Sequence, residues 1–313
     1  MIVVCGEALI DLVDNGDGTQ RSTPGGGPYN TARGLARLGV PTAFLGRLSD
    51  DAFGRELADC LAKDGVSLEL ASIGSEPTTI AAAVLDPDGL AEYEFLVAGT
   101  SAPYLTPEMV PDEFRSEVDA IHVGTLGLVL EPMASTLSEL VAHEAGRRLV
   151  MLDPNIRSGL IDDGEYRRRL HGLLRQSTLV KASLGDLAWL YPEVQIEALA
   201  ENLLAEGVRL VVVTMGADGA FAASRRASAS VPAVRVKVVD TIGAGDAFGA
   251  AVLAWLHDHG AVDLELDLET DQLETALSFA CRAAAITCTR AGAEPPWRWE
   301  LEPVRPNATE SNG

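Results

Sequence analysis

DTIGAGDAFGA, residues 240–250, places two glycines just before an apolar stretch with the composition of a helix. Gly243 and Gly245 leave room for backbone N–H groups to approach an anion at a helix N-terminus. Asp246 stands beside them, where a carboxylate would repel a bound phosphate but could take a proton from an attacking hydroxyl group. A first-turn aspartate can equally serve as an N-terminal cap. From this stretch alone, the two interpretations are equally supported.

Short apolar runs alternate with amphipathic segments along the rest of the chain. Continuous apolar strands that alternate with helices are typical of a parallel sheet covered on both faces, so the sequence predicts a three-layer α/β fold. The predicted strands are 2–5, 42–46, 120–124, 148–153, 178–183 and 209–216. The predicted helices are 28–38, 51–63, 132–146, 164–176, 196–206, 244–258 and 272–289.

Two segments break this alternation. Residues 12–23 are polar and rich in turn residues, and residues 66–97 contain three strand-like runs. Together they predict a small antiparallel sheet, inserted from about residues 12–23 and 66–104, that acts as a lid on a main domain spanning 1–296. In the tail, 297–313, we expect Trp297 or Trp299 to dock before the chain becomes partly disordered.

The composition limits the classes of partner. Of the 313 residues, 24 are Lys or Arg and 46 are Asp or Glu, which gives a net charge of −22. Such a surface repels nucleic acids and anionic membranes, so neither is expected as a partner. The simplest account of the acidity itself is solubility or a salt-tolerant host.

The cysteines and the N-terminus predict a cytoplasmic location. The four cysteines form no CxxC pair and no metal-binding spacing with histidine, which favours free thiols in a reducing compartment. The N-terminal run MIVVCGEALIDLV has neither a basic segment nor a cleavage site typical of a signal peptide. No apolar run approaches the about 18 residues of a membrane span.

Several common active-site motifs are missing. The sequence GxxxxGK[ST] is absent, which argues against a P-loop nucleotidase, and the glycine spacing near residue 243 fails the dinucleotide pattern GxGxxG. The 5 histidines show no metal spacing, and no Ser-His-Asp arrangement is evident.

The stretch at 240–250 resembles the C-terminal signature of the ribokinase-like carbohydrate kinases, D-T-x-G-A-G-D. The N-terminal signature of the family is similar to GGGPYNTARGLARLG at 25–39. Further similar stretches are GEALIDLV (6–13), DDAFG (50–54), DPNIR (153–157), VTMGADGA (213–220) and CTRAGAEPP (288–296). The resemblance covers residues 1–296 and implies the ribokinase-like α/β/α fold, with a mostly parallel central sheet and a small inserted β-sheet lid.

The resemblance implies roles for the catalytic and sugar-binding residues. Asp246 would be the general base, and the backbone of Gly243, Ala244 and Gly245 would form an anion hole for charge on the γ-phosphate. Arg157 would clamp a phosphate or orient a substrate oxygen, although an isolated surface arginine is the alternative. The residues assigned to the sugar are Asp11, Gly26, Gly27, Asn30, Arg157 and Asp246. Without the family, a helix cap would be the favoured role of Asn30.

The nucleotide site is implied in the same way. Thr214, Gly216 and Gly219 resemble the loop that lines the phosphates and ribose, together with Gly243 and Gly245. Lys181, at a strand end, would reach the phosphates. Ala280 and Ala284 lie on a small-residue helix that would let adenine approach the backbone, although tight helix packing explains the same residues.

The metal sites include a departure from the family. Where the family carries N-x-x-E near Mg²⁺, this chain has SLGD, with Ser183 and Asp186 in those places. We expect Asp186 to act on Mg²⁺ through water, because this ion keeps several of its waters. Asp240 and Ile242 resemble the monovalent-cation loop of the family and imply a K⁺ site.

Among the branches of the family, the chain is most similar to the fructokinases. The resemblance implies an ATP-dependent kinase that converts fructose to fructose 6-phosphate, with 2-keto-3-deoxygluconate kinase and ribokinase as alternatives. Residues 74–105 contain no Lys or Arg, which argues against an acceptor that already carries a phosphate. An inactive sugar- or nucleotide-binding regulator is the alternative of another class, disfavoured because Asp246 and its glycines are retained. Lids of this kind can also pair two subunits into a homodimer.

Overall fold

The computed structural model describes residues 1–14, 20–85, 91–157 and 163–301 of the chain. Within these ranges the strands fall in three sheets, and the largest has the order β14-β13-β12-β11-β10-β9-β1-β4. The strands are β1 (Ile2–Cys5), β2 (Leu9–Asp14), β3 (Gln20–Gly25), β4 (Thr42–Leu45), β5 (Arg47–Ser49), β6 (Ser72–Gly74), β7 (Ile80–Leu85), β8 (Ala91–Leu96), β9 (Ala120–Gly124), β10 (Leu149–Asp153), β11 (Leu179–Ser183), β12 (Leu210–Thr214), β13 (Ala220–Ala223) and β14 (Ser228–Val231).

The large sheet is mostly parallel, as the sequence predicts. Six neighbouring strands from β4 to β12 run parallel, and only β13 and β14 pair antiparallel at one edge. The carboxyl ends of the parallel strands therefore meet along one edge of the sheet, where ligand sites of open α/β folds form.

Helices cover both faces of this sheet. They are α1 (Gly27–Arg37), α2 (Ala52–Asp64), α3 (Met133–Glu144), α4 (Asp163–Gln176), α5 (Leu184–Leu190), α6 (Ile196–Ala205), α7 (Ala244–Asp258), α8 (Thr270–Cys288) and α9 (Arg298–Leu301). Alternate residues of each strand enter different cores: Val4 and Met151 join a cluster with α1, α7 and α8, whereas Val3 and Val150 join one with α3, α4 and α6. This alternation produces the three layers, and it buries both faces of the strands.

The smaller sheet has the order β3-β2-β7-β8 and corresponds to the predicted lid. The prediction of an antiparallel sheet is wrong at one pair, because β2 and β7 run parallel. The first strand-like run of 66–97 is also misplaced in the prediction: β6 pairs with β5 beside the main body instead of joining the lid. Strand β3 of the lid ends at Gly25, two residues before α1 begins, so the lid borders the carboxyl edge of the large sheet.

The predicted helices and strands are all present within one or two residues of their bounds. The prediction omitted α5 and the hairpin of β13 and β14. At the C-terminus, Trp297 is half-buried and stacks on Trp299 with ring centroids 5.0 Å apart, while Trp299 is 62% exposed. The predicted disorder of the tail concerns residues 302–313, which lie outside the described residues.

Within the described ranges, no helix is both long and apolar enough to cross a membrane. All four cysteines are free: Cys5 and Cys281 are buried, and Cys60 and Cys288 are half-buried.

Candidate active site

Gly243 begins the site at the N-terminus of α7. It has a left-handed φ of 75°, and a Cβ there would lie 2.5 Å from the Cβ of Ala293, so the backbone and the packing both require glycine. The N–H of Ala244 donates to the carbonyl oxygen of Thr241 over 3.2 Å. This tight turn aims the start of α7 at the carboxyl edge of the large sheet.

Asp246 lies in the first turn of α7 and is 8% exposed. Its Oδ2 accepts a hydrogen bond from Nδ2 of Asn30 over 2.8 Å, and it makes no capping contact with the backbone of α7. Burial raises the pKa of Asp246, while Lys181, the Asn30 hydrogen bond and Arg157 lower it. The capping interpretation of Asp246 is thus not supported, and its carboxylate is held toward α1.

Gly26 and Gly27 bring the N-terminus of α1 against Asp246. A Cβ on Gly27 would lie 3.5 Å from Oδ1 of Asp246, so this glycine faces the carboxylate oxygen that Asn30 does not bind. Gly26 has a φ of 108°, and a Cβ there would lie 2.8 Å from the carbonyl oxygen of Glu7. Asn30 is inside α1, not at its N-cap, which leaves its amide free to bind Asp246.

Asp11 projects from β2 toward this group. A Cβ on Gly25, in the paired strand β3, would lie 2.1 Å from its Oδ2. Burial raises the pKa of Asp11 to about 6, and the charge of Asp246 adds to the effect while Arg157 opposes it. The structure therefore brings Asp11, Gly27, Asn30 and Asp246 together between the lid and the start of α7.

Arg157 is an exposed side chain beyond the end of β10. Its Nη1 donates to Oδ1 of Asn155 over 2.7 Å, and its charge lowers the pKa of both Asp11 and Asp246. Its role toward a substrate stays a prediction.

Glu7 and Thr125 are residues of this region that the sequence did not single out. Glu7 is buried, and its two carboxylate oxygens accept the N–H groups of Gly27 over 3.1 Å and Gly127 over 3.0 Å. Burial raises the pKa of Glu7 to about 8. Thr125 has a φ of 56°, rare for a β-branched residue, and its Oγ1 would lie 2.2 Å from a Cβ on Gly27. The one available signal was a charged residue, Glu7, next to an apolar strand.

A cavity of about 600 Å³ opens on the other side of Gly245. Of the residues that the sequence assigns to the nucleotide, Thr214, Gly216, Gly219, Gly245 and Ala284 line it. Ala280 is fully buried and is not among the lining residues. The sequence did not predict the apolar wall, which includes Val234, Val236 and Val238.

Lys181 and Asp186, also predicted at the nucleotide, lie outside the wall of this cavity. Lys181 is buried behind α7, where its Nζ is 2.6 Å from Oδ2 of Asp153. Asp186 forms a capping box with Ser183 at the start of α5, and its Oδ1 accepts the N–H of Ile156 over 2.7 Å. Both carboxylate oxygens of Asp186 therefore already have backbone donors.

Potential metal ligands are sparse. Among the described residues, no group of three or more His, Cys, Asp or Glu side chains could hold a metal ion. Mg²⁺ keeps several of its waters and needs few protein ligands, so it does not require such a group. At the predicted K⁺ loop, Asp240 accepts the N–H groups of Ile242 over 3.0 Å and Gly292 over 2.9 Å.

The segment 289–295, which we call the backing loop, packs against the turn at Gly243. Ala293 packs on Gly243, and a Cβ on Gly292 would lie 2.9 Å from the side chain of Thr23 in the lid. The far side of the loop packs on two buried arginines of α1, Arg33 and Arg37. Arg37 donates a hydrogen bond to the carbonyl oxygen of Pro295 over 2.8 Å. Both arginines also pair with Asp64 and Glu294, at distances of 2.6–3.1 Å.

Comparisons with known proteins agree on one family. The model of the pfkB family of carbohydrate kinases matches residues 1–300. A fructokinase of Rhizobium leguminosarum bv. trifolii is 40% identical over 261 residues, which cover 82% of this chain and 79% of that protein.

Solved structures give the same result. A fructokinase of Xylella fastidiosa with bound ATP has a TM-score of 0.86 at 28% identity, with 96% of each chain covered. A fructokinase of Vibrio cholerae O395, with fructose, ADP and calcium ion bound, has a TM-score of 0.82 at 27% identity, covering 96% of this chain and 95% of the other. The fold described above is that of these similar proteins.

Proposed function

The chain belongs to the pfkB family of carbohydrate kinases, and we propose that it transfers the γ-phosphoryl group of ATP to O6 of free fructose. The observation that carries the proposal is the position of Asp246. It lies at the helix N-terminus that separates the pocket of Asp11 and Asn30 from the 600 Å³ cavity. The similarity to fructokinases, at 40% identity for the Rhizobium protein, supports fructose over the other sugars of the family.

The proposed chemistry uses Asp246 as the base. The sugar hydroxyl gives its proton to a carboxylate oxygen of Asp246, its oxygen forms the new bond to the γ-phosphorus, and the bond from that phosphorus to the leaving oxygen of ADP breaks. Asn30 fixes Oδ2 of Asp246, which leaves Oδ1, facing Gly27, for the proton. The N-terminus of α7 stabilises the charge on the transferred group.

The sugar is expected between the lid and α1. Asp11 would accept hydrogen bonds from its hydroxyl groups, and Arg157 would orient a substrate oxygen. The lid sheet would exclude water, which would otherwise compete with the sugar for the phosphoryl group. Residues 74–105 supply no cation for a second phosphate, which supports a free sugar as the acceptor.

Two cations belong to the proposal. Mg²⁺ would be held by the phosphates and by water near Asp186, and it would neutralise charge on the transferred group. We expect K⁺ at the loop of Asp240 and Ile242, where Asp240 ties that loop to Gly292 of the backing loop. Exchange of K⁺ for Li⁺ in the assay should then lower the rate at saturating substrates.

A homodimer formed through the lid is a further part of the proposal. The outer strand β8 leaves one edge of the lid sheet available to a second copy. Light scattering behind size-exclusion chromatography should give twice the mass of 33.0 kDa. A mass of one chain would contradict this.

The test of the function is sugar-dependent ADP release with fructose, ribose, adenosine, 2-keto-3-deoxygluconate and fructose 6-phosphate as acceptors. We expect the largest kcat/KM for fructose, phosphorus NMR of the product to show a 6-phosphate, and Asp246→Asn to lose about 10²–10⁴-fold in kcat. A preference for 2-keto-3-deoxygluconate would change the proposed substrate and leave the proposed mechanism in place. Unchanged turnover in Asp246→Asn would refute the role of this base.

A further inference from the structure

A buried ion pair lies directly behind the anion hole. Nζ of Lys181, at the middle of β11, is 2.6 Å from Oδ2 of Asp153 at the end of β10, and both side chains are 4% exposed. Oδ1 of Asp153 is buried and has no hydrogen-bond partner among the described residues. A buried pair of this kind is costly to desolvate and is weak evidence for stability, so its presence calls for another explanation.

The helix above the pair is shaped to accept it. A Cβ on Gly245 would lie 3.2 Å from Nζ of Lys181, and a Cβ on Gly249, one turn later, would lie 3.9 Å from its Cδ. Glycines four residues apart share one face of a helix, so α7 presents bare backbone to the lysine. The ammonium group therefore lies against the first turn of α7, and Lys181 is not among the residues that line the cavity.

Lys181 is placed between two carboxylates. It pairs with Asp153, and it is the strongest of the influences that lower the pKa of Asp246 against the effect of burial. A cation at short range favours the ionised form of a carboxylate. A buried lysine that merely neutralised Asp153 would not need to be seated under Gly245.

We propose that Lys181, oriented by Asp153, is a positioning residue that keeps Asp246 ionised and adds positive charge behind the anion hole without touching either substrate. The proposal rests on the kinase reaction proposed above. In this proposal Lys181 acts through the backbone of α7, in place of the predicted direct contact between Lys181 and the phosphates. It also resolves how a carboxylate can stand beside an anion hole, because the lysine offsets its charge until the proton arrives.

The charges balance through the reaction. Before transfer, Asp153 and Asp246 carry two negative charges against one on Lys181. When the sugar hydroxyl gives its proton to Asp246, the group of three becomes neutral overall, at the moment when the transferred phosphoryl group needs stabilisation. Asp153 holds the ammonium in place through the 2.6 Å ion pair.

Other charged groups also act on Asp246 and must be controlled. Each of them is unchanged in the variants below, so differences between profiles report the buried pair. They are Glu7 after β1, Asp11 in β2 and Arg157 after β10, with the neutral amide of Asn30 on α1. Asp186 in α5 is a further carboxylate whose charge acts on Lys181 and Asp153, and it is also unchanged in the variants.

The experiment measures the pH profile of kcat for Lys181→Met and Asp153→Asn, at saturating fructose and ATP. In Lys181→Met we expect kcat to fall about 10–100-fold, which is no more than the loss caused by removing a direct oxyanion donor. We also expect the acid limb of the pH profile to move to higher pH. In Asp153→Asn a negative charge near Asp246 is removed, while the amide oxygen can still accept the hydrogen bond that orients Lys181, so the acid limb should move to lower pH. The exposed Lys63→Met is the matched control and should leave the profile unchanged.

Opposite shifts in the two variants support the proposal, because general loss of structure would move both in one direction. If Lys181→Met raises KM for ATP and leaves the acid limb in place, Lys181 contacts the nucleotide and the proposal is wrong. If Lys181→Met does not fold, the double variant with Asp153→Asn removes both buried charges. The acid limb of the double variant must then lie at higher pH than the acid limb of Asp153→Asn alone.

A second readout needs no turnover. Carbon-13 NMR of aspartate-labelled protein follows the Asp246 carboxyl directly, with Asp246→Asn to assign its resonance. The same opposite shifts are expected in the free protein, and their absence would overturn the proposal. Inactivity of the wild type towards every sugar would instead refute the proposed function, while the NMR titration would still decide the role of Lys181.

Discussion

Gly243→Ala tests how tightly the backing loop defines the anion hole. An alanine at the left-handed φ of 75° costs about 1–2 kcal/mol in backbone strain. Its methyl group would lie 2.5 Å from Cβ and 2.8 Å from Cα of Ala293, an overpacking that adds about 1–3 kcal/mol. We therefore expect the free energy of unfolding to fall by about 2–5 kcal/mol, and kcat to fall about 10²-fold because the first turn of α7 must shift.

Gly65→Ala is the matched control for backbone strain. Gly65 has a φ of 93° at the end of α2, with no atom within 4 Å of a Cβ built there. Urea unfolding should therefore show a smaller loss for Gly65→Ala, and its kcat should equal that of the wild type. Addition of Ala293→Gly should restore part of both losses in Gly243→Ala. Equal destabilisation in the two alanine variants, or a normal kcat in Gly243→Ala, would refute the role of the backing loop.

Asn30→Ala should lower kcat and move its acid limb to higher pH, since the lost hydrogen bond raises the pKa of Asp246; an unmoved limb in the pH profile would contradict this. Asp11, whose pKa is about 6, should bind sugar as a carboxylate, so KM for the sugar should rise as the pH falls through about 6. Asp11→Asn should abolish that dependence, and a persistent one would point to another group. Asp64→Asn should lower the free energy of unfolding by about 3–5 kcal/mol in urea titrations, because it leaves two buried guanidinium groups short of a partner. A loss below 1 kcal/mol, the scale of exposed pairs, would mean that Glu294 alone suffices.

The large sheet was predictable because its central strands are short, continuous apolar runs between amphipathic helices. The hairpin of β13 and β14 was not, because AFAA and SASV are small-residue segments without a clear period. α5 was also overlooked, since its seven residues are too few to establish a helical pattern. The parallel pairing of β2 with β7 depends on contacts across the lid that local sequence does not encode.

The site was predictable where function depends on local backbone shape. The glycines before Asp246 and the Gly-Gly turn before Asn30 are visible as spacings. Glu7 was not identified as a site residue, because its partners lie 20 and 120 residues away in sequence. The position of Lys181 behind α7 could not be predicted either, since it depends on which face of the strand packs on the helix.

The backing loop also bears on the order in which the protein becomes active during synthesis. The ribosome completes every strand of the lid sheet and of the large sheet before it reaches residues 289–295, which complete the support of Gly243. Until those residues emerge, Gly243 lacks the packing partner Ala293, so the turn before Asp246 is the last part of the site to gain its support in a nascent chain.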